Sequence, residues 1–298
     1  MEIVGVRPRL YRIFLEQEIQ GFQRFIGSWF VDGEQKFLVD VGPTSSIDPL
    51  IEGLKALKAE RLDYVFLTHI HIDHAGGTGI LLKHFPRAKV ICHGSGIKHL
   101  MDPRKLWEGS QKILGDLALK YGEILPVPGE ALVASKDFNE NGYKLMDTPG
   151  HAPHHISLIY KDYLFAGEAG GIFLDVNGQN YLRPATPPKF VLEEAVESVD
   201  RMIGDEAQEI CYAHTWIHGQ GKSMLKKYKD QLYLWKEVVA EQMKEDRGGN
   251  LVDQCVAALL KKDELLWGFN DLTQDDKARE FYYIRNSIQG YVEYLKRA

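Results

Sequence analysis

Cysteine is scarce in this 298-residue chain, and Cys92, Cys211 and Cys255 stand far apart without forming a Cys-x-x-Cys pair. That argues against a disulfide framework and against thiolate zinc ligation, and a reducing cytoplasm is the expected setting. Long apolar runs are missing too: no stretch approaches the ~18 residues of a membrane helix. The first twenty residues carry Arg7, Arg9, Arg12, Glu16 and Glu18, so no secretory h-region is expected there. There is also no dense run of Lys and Arg, and 36 basic residues against 42 acidic ones leave a formal net charge of −6. Such a surface gives little support to phosphate-backbone binding, so neither a nucleic-acid partner nor a membrane is expected. The chain does contain 44% hydrophobic and 11% aromatic residues, enough to bury a large core as one domain or one domain with an appendage.

Histidine and aspartate are concentrated in His69-Ile70-His71-Ile72-Asp73-His74, directly after the apolar run Tyr64-Val65-Phe66-Leu67. In an extended chain successive side chains alternate faces, so His69 and His71 point the same way and can share one cation. As the chain turns at Ala75-Gly76-Gly77, Asp73 and His74 can swing toward a second position. Two-metal sites hold their ions only ~3.5–4 Å apart, so one loop can serve both. Imidazole and carboxylate suit Zn, Fe or Mn better than Ca or Mg.

Upstream, Leu10 to Leu15, Gly21 to Val31 and Lys36 to Val41 read as strands, with Asp32-Gly33 as a hairpin signal. Asp40 ends a buried strand, where a lone carboxylate must be paired or hydrogen-bonded. Ser46 to Lys58 has apolar residues at helical spacing after Ser45 and Ser46, which read as its cap. Thr78 to Phe85 predicts a helix stopped by Pro86, and Ala88 to His93 a strand; the alternation indicates a layered α/β architecture. Residues 94 to 125 are helical in spacing, forming either a lid or two surface helices. Beyond the Asn141-Gly142 hairpin signal, Thr148-Pro149-Gly150 makes a sharp turn that lets His151 face the first loop. Two strands around Lys161-Asp162 then lead into Ala166-Gly167-Glu168-Ala169-Gly170-Gly171, and Ile210 to Ala213 reads as a last short strand before His214. The final third is helical (Lys189 to Ile203, Ser223 to Met243, Leu251 to Leu260, Asp275 to Lys296), broken once at Arg247-Gly248-Gly249-Asn250.

These pieces resemble, in order, the metallo-β-lactamase superfamily: Phe37-Leu38-Val39-Asp40-Val41-Gly42-Pro43, the His-x-His-x-Asp-His signature, Thr148-Pro149-Gly150-His151, Leu164-Phe165-Ala166-Gly167-Glu168 and His214. The resemblance covers roughly residues 1 to 220 and is to the glyoxalase II-like, zinc-dependent hydrolase branch. It implies a four-layer αββα sandwich at 1–220, with a C-terminal helical extension at 221–298. It also implies that His69, His71 and His151 hold one metal, that Asp73, His74 and His214 hold the other, and that Glu168 bridges. Asp40 becomes a support of the metal loop. Glu168 departs from the family, which carries Asp there, and His154 stands where relatives carry Gly. His155 has either a structural role or one as hydrogen-bond partner to a ligand, and His218 competes with His214 as last ligand. Related proteins append helices that shape the substrate pocket; that role is expected at 221–298, with homodimerisation as the other.

Two cations beside one water lower its pKa toward ~7 and polarise a carbonyl, so a metal-activated hydroxide is the expected nucleophile and hydrolysis the expected chemistry. Asp73 orients that nucleophile and passes its proton to the leaving group. The expected cofactors are two divalent ions, zinc first, with iron or manganese as alternatives. The expected substrate is a small acyl ester, thioester or lactone, because a neutral carbonyl needs no basic cleft. Two rival readings stand beside this one, a mononuclear-iron persulfide dioxygenase and a regulatory or binding protein that retains the site.

Overall fold

The computed structural model describes residues 1–245 and 248–297 and divides into two compact units, Met1–Asp147 with His154–Tyr160, and Thr148–Pro153 with Lys161 onward. In the first unit a seven-stranded sheet runs in chain order through β1 (Glu2–Arg7), β2 (Leu10–Phe14), β3 (Gly27–Asp32), β4 (Lys36–Val39), β5 (Tyr64–Phe66), β6 (Lys89–Cys92) and β7 (Leu132–Ala134). The first four strands pair antiparallel, β2 to β4 answering the three strands read from the sequence, β3 beginning only at Gly27, and β1 preceding them; Asp32 lies opposite Lys36 across the hairpin. From β4 to β7 the pairing is parallel, each crossover carrying helices: α1 (Ile47–Ala56), then α2 (Ile72–Ala75) and α3 (Thr78–His84), then α4 (Ile97–Met101), α5 (Arg104–Leu114) and α6 (Asp116–Tyr121). Parallel strands with helical crossovers place their loops at the carboxyl ends, where open α/β sheets carry ligand sites. Asp40, the His69–His74 loop and His93 all emerge at those ends.

The hairpin of β8 (Tyr143–Asp147) and β9 (Ile156–Tyr160) completes this unit. An aromatic cluster joins it to the large sheet: Tyr143 stacks on Phe66 at 5.5 Å, and Phe37 meets both Tyr143 and Tyr160 edge-on at 5.5 and 5.0 Å. Asn141-Gly142 differs from expectation. Gly142 takes φ +88° just before β8, but β7 pairs in parallel with β6, so this turn closes no hairpin. The expected Ser45/Ser46 cap of α1 is also absent, because no side chain caps that helix and Ser46 Oγ accepts Gln17 Nε2 instead.

In the second unit β10 (Tyr163–Gly167) runs parallel to β13 (Glu209–Tyr212), which pairs with the short β14 (Ile217–His218). Between them in the sequence, and forming a separate two-stranded sheet, comes a hairpin of β11 (Ile172–Val176) and β12 (Gln179–Arg183), turned by Asn177-Gly178 with φ of 55° and 83°. Two positive φ values are the signature of the hairpin turn whose twist matches its strands, and Asn-Gly is its favoured pair. Four helices follow the expected spans: α7 (Leu192–Ile203), α8 (Gly221–Glu245), α9 (Leu251–Lys262) and α10 (Gln274–Arg297). The expected break after α8 includes Arg247, which lies outside the described residues; Gly248, Gly249 and Asn250 separate α8 from α9. The helices bury Trp235, Leu232, Ile284, Ile288 and Tyr291 completely. The buried Asp263 carboxylate is paired: it accepts from Trp235 Nε1 and Gln231 Nε2, each at 2.8 Å. Among the described residues no helix is long and apolar enough to cross a membrane.

Candidate metal centre

The first unit assembles its candidate ligands around Asp40. This residue follows β4 at φ +57°, a left-handed conformation that Asp tolerates better than most side chains. Its Oδ1 accepts the Thr68 N–H at 2.8 Å, and its Oδ2 accepts the Thr68 hydroxyl and His74 Nδ1–H, each at 2.9 Å. Thr68 Oγ1 also lies 3.0 Å from His69 Nδ1. The hydroxyl has one proton, committed to the carboxylate, so it accepts from His69 Nδ1–H. Both histidines are thereby held in the tautomer that leaves Nε2 for a metal.

His69 Nε2 faces His71 Nδ1 at 2.9 Å, and His74 Nε2 lies 3.6 Å from Asp73 Oδ2. The turn that swings Asp73 and His74 away from His69 and His71 is the single helical turn α2, which begins earlier than the glycines expected to make it. Asp40 should therefore govern affinity without touching an ion. Asp40→Asn is expected to weaken zinc binding about 10- to 100-fold, measured by competition with a chromophoric chelator. Wild-type affinity in that variant would remove Asp40 from this role.

The second unit contributes His151, Glu168 and His214. β10 carries a bulge against β13 between Phe165 and Gly167, and Gly167 takes φ +58°, so Glu168 leaves the strand just where the ladder slips. Glu168 is 8% exposed; its Oε2 lies 2.7 Å from His151 Nε2 and its Oε1 3.4 Å from His214 Nε2. One carboxylate thus addresses two imidazoles with different oxygens. His151 follows Gly150 at φ +141°, where an added Cβ would lie 2.8 Å from Ala195 Cα on α7, so glycine is required. His151 Nδ1 is 3.0 Å from the Ala185 carbonyl. A carbonyl only accepts, so Nδ1 carries the proton and Nε2 is left to a metal. His214 is set by its neighbour Thr215, at φ +64°, whose Oγ1 donates to the Phe173 carbonyl.

His218 takes another role. Its Nδ1 accepts the Gln220 N–H at 3.1 Å, and its Nε2 lies 3.2 Å from the Asn180 amide. Burial, helped by Lys227 and opposed by Asp175, pushes its pKa below the ordinary histidine value. His155 is fully buried with its ring 5.2 Å from that of His69, and His154 Nδ1 sits 3.5 Å from the Ile70 N–H. The supports missed from sequence are Thr68 and Ala185; a backbone carbonyl leaves no residue-type signal.

His69, His71, His151 and Glu168, and separately Asp73, His74 and His214, are sets of side chains whose chemistry could hold metal ions. The donor chemistry fits a divalent transition metal, since imidazole nitrogens and carboxylate oxygens are the ligands and three of the histidines carry orienting partners on Nδ1.

A family model described as the metallo-beta-lactamase superfamily matches residues 23–214. A metallo-beta-lactamase fold-containing protein of Sulfurisphaera tokodaii is 35% identical over 169 residues, 52% of this chain and 61% of that protein. Hydroxyacylglutathione hydrolase of Salmonella typhi is 28% identical over 181 residues, 60% of this chain and 57% of the enzyme. In both cases less than two thirds of the relative's own length is matched. The crystal structure of an archaeal metallo-beta-lactamase superfamily protein from Sulfolobus tokodaii superposes with a TM-score of 0.69 at 24% identity, covering 95% of this chain and 98% of that one, a likeness of fold. With a family model spanning residues 23–214, a shared fold and a set of histidines and carboxylates that could hold metal, the chain belongs to the metallo-beta-lactamase superfamily.

Proposed function

We propose that this chain is a metal-dependent hydrolase of an acyl ester, with thioesters and lactones as the preferred class. The observation that carries the reading is Glu168, whose two oxygens address His151 and His214 separately, as a carboxylate shared by two ions would. His69, His71 and His151 would hold one ion, and Asp73, His74 and His214 the second, with Glu168 between; zinc is the first choice on donor type. Ions held there would supply an acidified water near neutral pH and polarisation of the substrate carbonyl.

The protein's own groups do the rest. Asp40 and Thr68 keep His69 and His74 from turning, and Ala185 does the same for His151. Asp73 orients the attacking water and carries its proton to the leaving group. A net charge of −6 favours a neutral carbonyl over a phosphodiester. The helices from Gly221 onward are assigned to shaping the pocket for the acyl group. Relatives named hydroxyacylglutathione hydrolase support the thioester class, at 28% identity for the Salmonella typhi enzyme.

The test is metal analysis of protein purified without chelators, followed by a panel of esters, thioesters and lactones. Two zinc ions per chain and turnover of at least one thioester or lactone are expected. Iron as the sole metal, with oxygen uptake on glutathione persulfide and no hydrolysis, would overturn the proposal.

A further inference from the structure

Resting on the reading of His151 as a metal ligand, the geometry points to a second role for the C-terminal helices: they hold the strap Pro184-Ala185-Thr186 that orients His151. Four observations converge on this short segment. The Ala185 carbonyl accepts His151 Nδ1–H at 3.0 Å. One residue of α10, Ser287, reaches both flanks of Ala185: its hydroxyl donates to the Pro184 carbonyl at 3.0 Å and accepts the Thr186 N–H at 3.3 Å. Thr186 Oγ1 returns a bond to the Ser287 carbonyl at 3.3 Å. The backbones meet closely because α10 presents Gly290, where an added Cβ would stand 2.0 Å from the Thr186 carbonyl oxygen.

Helix α8 supports the same strap. The Ala185 N–H lies beside the Tyr228 hydroxyl, and the Tyr228 ring packs where a Cβ on Gly171 would be, 2.8 Å away. The strap is short of alternatives. Pro184, Pro187 and Pro188 lack N–H groups and have fixed φ, so hydrogen bonds around Ala185 and Thr186 decide where its carbonyls aim. Ala185, Thr186 and Ser287 are all buried. Ser287 is therefore a positioning residue that acts on a metal ligand through two backbone links.

Ser287→Ala keeps a good helix former and removes both strap bonds. Zinc affinity, read by chelator competition with zinc alone, should fall about tenfold, the lower range for loss of a ligand's supporting partner. The His151 ring signals in nitrogen-detected NMR of the zinc-loaded protein should shift or broaden. Tyr291→Phe is the control: it removes a buried α10 bond, to the Leu232 carbonyl at 2.9 Å, that does not involve the strap, and it should cost stability without changing zinc affinity. Should Ser287→Ala fail to fold, the near-isosteric Thr186→Val tests the strap from its own side. Wild-type zinc affinity and unmoved His151 signals in the variant that folds, or an equal affinity loss in Tyr291→Phe, would overturn the inference. His151→Ala separates the levels: if it too leaves zinc affinity unchanged, the metal-ligand reading fails, whereas a loss there alone rejects only the strap.

Discussion

Glu280→Ala should cost the second unit about 3–5 kcal/mol, the range for breaking a buried ion pair from one side. Glu280 is fully buried on α10. It accepts from Arg183 Nε, from Arg279 Nε at 2.9 Å and from Tyr181 Oη at 3.0 Å. Removing it takes the carboxylate from two buried guanidiniums; Arg183 keeps a 3.4 Å bond from Nη1 to the Pro184 carbonyl and its place over the Tyr283 ring at 4.9 Å, and Arg279 keeps its bond to Asp276 at 2.8 Å.

The pH dependence has a definite sign. Burial alone would raise the Glu280 pKa, but Arg183 and Arg279 outweigh it and hold the group below its ordinary value of 4.5. A carboxylate with a depressed folded pKa contributes stability above the unfolded value and loses it as pH falls through the folded one. The gap between wild type and Glu280→Gln in urea denaturation should therefore be full at neutral pH and narrow below 4.5. A gap unchanged between neutral pH and strong acid would show that the charge of Glu280 does not stabilise the fold.

That network also marks where sequence reading ends. Arg183 and Glu280 are 97 positions apart, and no local period links a strand residue to a helix residue at that separation. The metal loop was legible because alternation along an extended chain is local and because histidines crowded after an apolar strand have few other uses. The helix spans were legible from their period, and Asp40 from the cost of burying a lone carboxylate. Turns are less legible. Asn141-Gly142 carries a hairpin signal although β7 pairs with β6, and the same dipeptide at Asn177-Gly178 does turn a hairpin. The dipeptide is the same in the two places, but Asn177 joins Gly178 at positive φ while in the earlier pair only Gly142 does, a difference that residue type alone does not carry.

On the two-ion reading proposed above, Glu168→Ala should leave one bound ion or none, and hydrolysis should fall with the lost ion. The more informative variant is Glu168→Asp, which installs the residue the family usually carries. Shortening by one methylene withdraws the carboxylate by ~1.5 Å if the backbone stays in place. The glycines around it hold the loop in place. Gly167 sits at φ +58° in a bulge, Gly171 at φ +85° lies against the Tyr228 ring, and the Gly171 N–H donates to the Glu168 carbonyl at 3.0 Å. The backbone is therefore set for the longer side chain, which spans 2.7 Å to His151 Nε2 on one oxygen and 3.4 Å to His214 Nε2 on the other. Asp cannot reach both from the same Cα. Glu168→Asp should keep one ion firmly and bind the second at least ~10-fold more weakly, with turnover recovering as the metal concentration is raised. Full recovery of both ions at wild-type affinity would mean that the loop advances freely. Wild-type stoichiometry and rate in Glu168→Ala would remove Glu168 from the ligand set, and a single ion in metal-replete wild type would end the two-metal mechanism.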